Sequence, residues 1–175
     1  KDNLIGISTI ALEPSTDGQP QPDARFVDAY YEDGAFYTVT YATTKKIQQI
    51  TANPHVALCY VVDSFTATGR GENLGWVKAE KNLELAAKLR EIFAEWYQDA
   101  NNDEDPNTCI LKVTLEQGLW NFPHEGRSTA IDFMAKTVVH KGWFPLNHST
   151  DTQKMSNALV MRYSSFCLLF FNDHI

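Results

Sequence analysis

Apolar and polar positions alternate with a period of two along RFVDAYYEDGAFYTVTY, residues 25–41, where Phe26, Asp28 and Tyr30 interleave with Val27, Ala29 and Tyr31. That period, with the aromatic and β-branched content, predicts a half-buried strand. Glu32-Asp33-Gly34 predicts a tight turn, since Asp-Gly accepts positive φ, and Ala35 to Tyr41 returns as the partner strand. Leu4 to Leu12 reads as an earlier strand, joined to this hairpin by a loop rich in Pro, Asp and Gly from Glu13 to Pro22. Val56 to Val62 is nearly all apolar and predicts a buried strand. Asp63-Ser64 turns it into Phe65 to Gly71, and Cys109 to Leu115 forms a further strand.

The period lengthens to that of a helix in two places. One helix starts at Thr43 or Thr44 and ends at Asn53-Pro54, with Ile47 and Ile50 towards the sheet and Gln48 and Gln49 towards water. The second is longer, with Asn82 as N-cap and Leu85, Leu89, Ile92, Phe93 and Trp96 on one stripe. Its wet side holds Lys81, Glu84, Lys88, Arg90, Glu91 and Glu95, with Glu84 and Lys88 as an i,i+4 pair. The pattern as a whole predicts a mainly β fold with flanking helices.

A chain of 175 residues with a 43% hydrophobic share fits one domain with a sizeable core. The formal net charge of −7 argues against a nucleic-acid surface, which needs a basic face. Cys59, Cys109 and Cys167 lie in apolar runs without paired spacing, which points to reduced core thiols in a cytoplasmic protein and not to a disulfide frame or zinc site. No apolar run reaches membrane-spanning length.

Against this acidic background, Lys45 and Lys46 stand in the first turn of the first helix. The helix macrodipole disfavours positive charge there by roughly 0.3–1 kcal/mol per charge. Free N–H groups, two threonine hydroxyls and two ammonium groups at one helix start suit a phosphate, and Arg25, one hairpin away, can add a bidentate fork. Two solvated surface lysines account for the same placement equally well.

The ordered set Arg25-x-Val27, hairpin, Thr40, Thr44-Lys45-Lys46 and Asn53-Pro54-x-Val56-Ala57-Leu58 resembles the FMN-binding split barrel of the pyridoxamine 5′-phosphate oxidase-like family. The resemblance runs from Ile5 to Phe133 and implies a Greek-key split β-barrel that binds FMN between the subunits of a homodimer. It implies that Arg25, Thr44, Lys45 and Lys46 hold the FMN phosphate, with Phe26, Val27, Val39 and Thr40 beside the ring. Trp120 on a late strand would contact flavin held mainly by the other subunit, with core packing as the other reading. Tyr30 stands where the oxidase itself has a substrate-phosphate lysine, and the late Arg-x-His pair is absent, so the general stress-protein branch is the closer likeness. The long helix would cross a barrel opening or meet the partner subunit.

Other motifs carry less. Gly69, Gly71 and Gly75 superficially match a dinucleotide loop, but Trp76-Val77-Lys78 intervene before any helix, so bends at a barrel corner explain them better. The acidic stretch Asp99 to Asn107 lacks the glycine and terminal glutamate of a calcium loop and reads as a solvated connector. No side-chain cluster suggests a resident metal or a nucleophile. The split-barrel domain is expected over residues 1–137. Residues 138–175, which include the apolar run Phe166 to Phe171, form an extension without family likeness. The functional expectation is an FMN-dependent oxidoreductase acting on a small molecule, with a non-catalytic flavin- or ligand-binding sensor dimer as the alternative.

Overall fold

The computed structural model describes residues 2–60 and 64–142 and the backbone of 152–154. Strands β1 (Asn3–Ile10), β2 (Pro22–Glu32), β3 (Ala35–Tyr41), β4 (His55–Tyr60), β5 (Phe65–Trp76) and β6 (Thr108–Phe122) run in the spatial order β3-β2-β1-β4-β5-β6. The fourth strand lies beside the first, which is a Greek key. A further β3–β6 pairing closes these six strands into a barrel. Strands β7 (Arg127–Asp132), β8 (Thr137–Gly142) and β9 (Thr152–Lys154) continue the sheet from the far half of β6. β8 crosses the point after residue 137 where the sequence changes character. Val61 to Asp63, the run Phe166 to Phe171 and Cys167 lie outside the described residues.

The two-residue period carries straight into burial. On β1, Asn3, Ile5, Ile7 and Thr9 point inward, and on β2 Val27, Ala29 and Tyr31 do the same. The barrel interior is filled by these residues with Phe36, Leu58, Phe65, Leu111, Val113 and Leu115. Asp33 (φ 47°) and Gly34 (φ 78°) make the hairpin turn with the positive φ that the sequence calls for. At Gly69 an added Cβ would stand 2.3 Å from the Thr114 carbonyl oxygen, beside a register shift between β5 and β6. The glycine therefore serves the barrel's curvature, as expected, and not a nucleotide.

Helix α1 (Lys45–Ala52) lays Ile47 and Ile50 against the barrel. Helix α2 (Leu83–Ile92) and the single turn α3 (Tyr97–Ala100) cover the outer face of the β3–β6 seam. There Leu89, Phe93 and Tyr97 bury themselves against Val39, Val77 and Ile110. The long helix thus breaks after Ile92, and its apolar stripe builds a second core on the barrel wall. Asn82 is the N-cap residue of α2, as expected, but its side chain caps no first-turn N–H; its amide donates to the carbonyls of Leu74 (3.1 Å) and Trp76 (2.8 Å). Lys88 pairs with Glu32 at the hairpin end of β2, not with Glu84, and Arg90 pairs with Asp103 at 2.6 Å. That second contact, with the Tyr97 hydroxyl donating to Asp103 at 2.8 Å, pins a connector expected to be freely solvated.

Candidate functional site

The hairpin that forms β2 and β3 does not stay closed. Cross-strand pairs run only from Glu32↔Ala35 to Tyr30↔Tyr37. Beyond them β1 holds β2 across Pro22 to Ala29, while β6 holds β3 along its full length. The two strands are pulled to different neighbours, so their facing edges at Val27-Asp28 and Thr38 to Tyr41 separate into a slot. Its walls are those residues, with Lys46 of α1 and Trp96, Ala100 and Asn101 of the α3 region, around a cavity of about 180 Å³. Strand edges that face a slot offer N–H and C=O groups at fixed spacing, suited to the polar rim of a flat heterocycle.

The start of α1 borders this slot. Thr44 is the N-cap residue, but its hydroxyl donates back to the Tyr41 carbonyl at 2.7 Å and caps no first-turn N–H. The first turn carries Lys45 and Lys46 and no acid. Lys45 is exposed and acts electrostatically on Asp23, whereas Lys46 is half-buried. Burial, then repulsion from Arg25, pulls the Lys46 ammonium below the usual lysine range, and Cys109 only partly offsets this. Among the described residues no carboxylate pairs with Lys46. An under-compensated cation beside an uncapped helix start is an arrangement that an anion completes. The buried Cys109 thiol, facing Thr40 across the β3–β6 ladder, is itself pushed up to about 11 by burial.

Of the residues singled out from the sequence, the structure brings Val27, Val39, Thr40 and Lys46 together around the slot, with Thr44 and Lys45 at the adjoining helix start. Three others lie elsewhere. The Phe26 side chain is 66% exposed on the outer barrel wall near Gly6, because the strand period turns it away from its neighbour Val27. Trp120 is buried in the barrel core, with Phe122 stacked at 5.2 Å and Phe65 edge-on at 6.4 Å, so packing accounts for it. Arg25 does not line the slot, and its fork is engaged internally. Nη1 donates to Thr9 at 2.6 Å, and Nη2 donates to Gln49 at 2.8 Å and pairs with Asp23 at 3.0 Å.

Gln49, expected to face water, is 3% exposed and is the centre of that network. Asp28, Thr38, Tyr41, Trp96, Ala100 and Asn101 are the slot residues that sequence reasoning missed. Trp96 shares the spacing of an ordinary apolar stripe, and its indole donates to Asp2 at 2.7 Å. Asn101 sits in a polar connector with nothing to mark it. Asp28 was visible as a polar position on β2, but not as one facing an open strand edge.

Among solved structures, General Stress Protein 26 from Bacillus anthracis is 20% identical, covering 67% of this chain and 83% of its own, with a TM-score of 0.47. A pyridoxamine 5′-phosphate oxidase-related, FMN binding protein from Nostoc punctiforme is 13% identical, covering 88% and 87%, with a TM-score of 0.48. The heme storage protein HutZ from Vibrio cholerae is 10% identical, covering 65% and 82%, with a TM-score of 0.50. No curated protein matches the chain. Residues 8–120 match the family model for pyridoxamine 5′-phosphate oxidase, a span that contains β2 to β5, most of β6, the slot and α1 but only the end of β1. The chain therefore belongs to the pyridoxamine 5′-phosphate oxidase family.

Proposed function

We propose that the chain is an FMN-binding flavoprotein, an FMN-dependent oxidoreductase acting on a small molecule as a homodimer. The observation that carries this reading is the half-buried Lys46 ammonium, unpaired by any carboxylate among the described residues, at the end of a slot between two open strand edges. A planar ring with a phosphate tail matches both halves. Lys46, Lys45 and the uncapped N–H groups of α1 hold the phosphate, with the Arg25 charge in support. The backbone edges at Val27-Asp28 and Thr38 to Thr40 hold the polar rim of the ring, and Val39 and Trp96 shield it from water. Bound FMN would supply the electron transfer, so the protein needs no nucleophile of its own.

Size supports the proposal of a second copy. Ligand sites commonly enclose about 300–1,000 Å³, and this slot holds about 180 Å³, so one chain leaves much of a flavin uncovered. A groove of about 530 Å³ lined by Ala57, Cys59, Leu119 and Ala130 crosses the outer barrel wall, and the exposed Phe26 lies near Cys59 on that wall. It is the face we assign to the partner copy. Cys59 and Cys109 are free thiols, in keeping with a cytoplasmic setting, although Cys59 is partly exposed and so not a core thiol. No helix among the described residues is long and apolar enough to cross a membrane.

The alternative is a non-catalytic ligand-binding dimer, favoured by the shared fold of a heme storage protein and by Tyr41, a slot residue whose phenolic oxygen would exchange its hydrogen bonds with the Ala100 carbonyl (3.4 Å) and the Asn102 N–H (3.1 Å) for iron. Incubation with excess FMN or hemin, desalting and an absorbance spectrum test both readings. Near-equimolar retained flavin is expected, followed by turnover with reduced nicotinamide and an electron acceptor. Retained hemin without flavin moves the assignment to the alternative, and a folded, colourless protein overturns both.

A further inference from the structure

Gln49 occupies a position where an apolar residue would pack. It lies on α1 beside Ile50, nearly inaccessible, and makes three side-chain hydrogen bonds. Its Oε1 accepts from the Thr9 hydroxyl at 2.5 Å and from Arg25 Nη2 at 2.8 Å, and its Nε2 donates to Asp23 Oδ2 at 2.8 Å. The Thr9 hydroxyl in turn accepts from Arg25 Nη1 at 2.6 Å, so hydrogen bonds run in one direction from Arg25 through Thr9 and Gln49 to Asp23. Thr9 is 1% exposed, which keeps water from replacing these contacts. Both terminal nitrogens of Arg25 are thereby immobilised, and of the five guanidinium donors about two remain, Nε–H and one Nη1–H. The fixed guanidinium is close enough to repel the Lys46 ammonium.

We propose that Gln49 is the positioning residue of the anion site: it clamps Arg25 beside Lys46, so that a fixed guanidinium and the Lys46 ammonium act on one phosphate and a phosphorylated ring is preferred over its unphosphorylated counterpart. This rests on the FMN reading above. A buried amide kept only for stability would support the α1–β1 packing and leave ligand preference untouched. A clamp raises affinity for the phosphate specifically, because the guanidinium loses no further side-chain freedom when the anion arrives.

The test compares FMN with riboflavin by fluorescence titration in the full chain, with inorganic phosphate as competitor. Wild type is expected to prefer FMN. Gln49→Met should weaken FMN roughly tenfold, the scale of one charge-assisted hydrogen bond, and riboflavin less than about twofold. Gln49→Glu keeps both acceptor contacts but sets a carboxylate against Arg25, so it should weaken FMN further and make phosphate a poorer competitor. Thr9→Val, which deletes the hydroxyl relay at constant volume, should shift the preference in the same direction and serves if Gln49→Met folds poorly. A wild-type FMN preference that survives unchanged in Gln49→Met or Thr9→Val overturns the positioning role alone. No preference in wild type overturns the FMN reading, and the clamp with it.

Discussion

Replacing Lys46 by Gln should pull stability and ligand affinity in opposite directions. In the ligand-free protein the Lys46 ammonium is half-buried in the first turn of α1, with Arg25 nearby and no carboxylate partner among the described residues. Its removal should stabilise the ligand-free chain by about 0.3–1 kcal/mol, the macrodipole cost of one first-turn cation, or about 1–4 °C in Tm for a chain of this size. FMN loses the contact at the same time. A phosphate charge 4 Å from an ammonium gains about 4 kcal/mol at an effective dielectric of 20, and solvent competition leaves about 1.5–3 kcal/mol for a charge-assisted hydrogen bond. That corresponds to FMN binding about 10- to 150-fold weaker, with riboflavin changed by less than about twofold. Flavin-fluorescence titration and thermal melts on the same preparations read both effects. Equal FMN affinity in variant and wild type would refute the reasoning, as would parallel losses for FMN and riboflavin. A variant that melts lower without ligand would show that Lys46 has a partner after all.

The remaining expectations use the same geometry. Because burial and Arg25 lower the Lys46 pKa, its charge disappears below the ordinary 10.5 as pH rises, while the FMN phosphate stays dianionic. The preference for FMN over riboflavin should therefore fall through that window and stay flat in Lys46→Gln. The linked stability has the matching sign: the charged Lys46 costs stability at neutral pH, and that cost is relieved as pH climbs past its lowered pKa. Gly69→Ala sets a methyl 2.3 Å from the Thr114 carbonyl, backbone that cannot swing aside, and should cost about 1–3 kcal/mol or more in urea unfolding. Gly142→Ala meets no neighbour within 4 Å among the described residues and should stay within about 0.5 kcal/mol. Equal unfolding midpoints for the two glycine variants would count against the close β5–β6 approach.

Much of the fold is legible because its signals are local. A two-residue period assigns the inward faces of β1 and β2, Asp33-Gly34 specifies the hairpin, and Thr44 with Pro54 brackets α1. The candidate site is legible in part for the same reason, since Lys45 and Lys46 can be counted from a helix start. Gln49 was misplaced because a short helix in contact with both barrel and strand has a wider buried arc than two isoleucines define. The amide enters that arc only because Thr9, Arg25 and Asp23 converge on it from residues 24 to 40 positions away. Phe26 and Trp120 show the complementary limit of a sequence reading. A family position names a residue, but the pleat decides which way Phe26 points, and the core decides what surrounds Trp120.

By itself, then, the sequence determined the six barrel strands but not β7 to β9, together with the turn chemistry, the basic start of α1 and the family whose barrel they build. Tertiary structure alone decided where β2 and β3 part, because that depends on β1 and β6 competing for their edges across the closed barrel. It also decided that Arg25 is held and Lys46 is not. Strand period and helix caps act over a few residues and are written in order along the chain. The slot and its charges arise from pairings between distant segments, whose closure follows from the whole set of contacts and not from any one stretch.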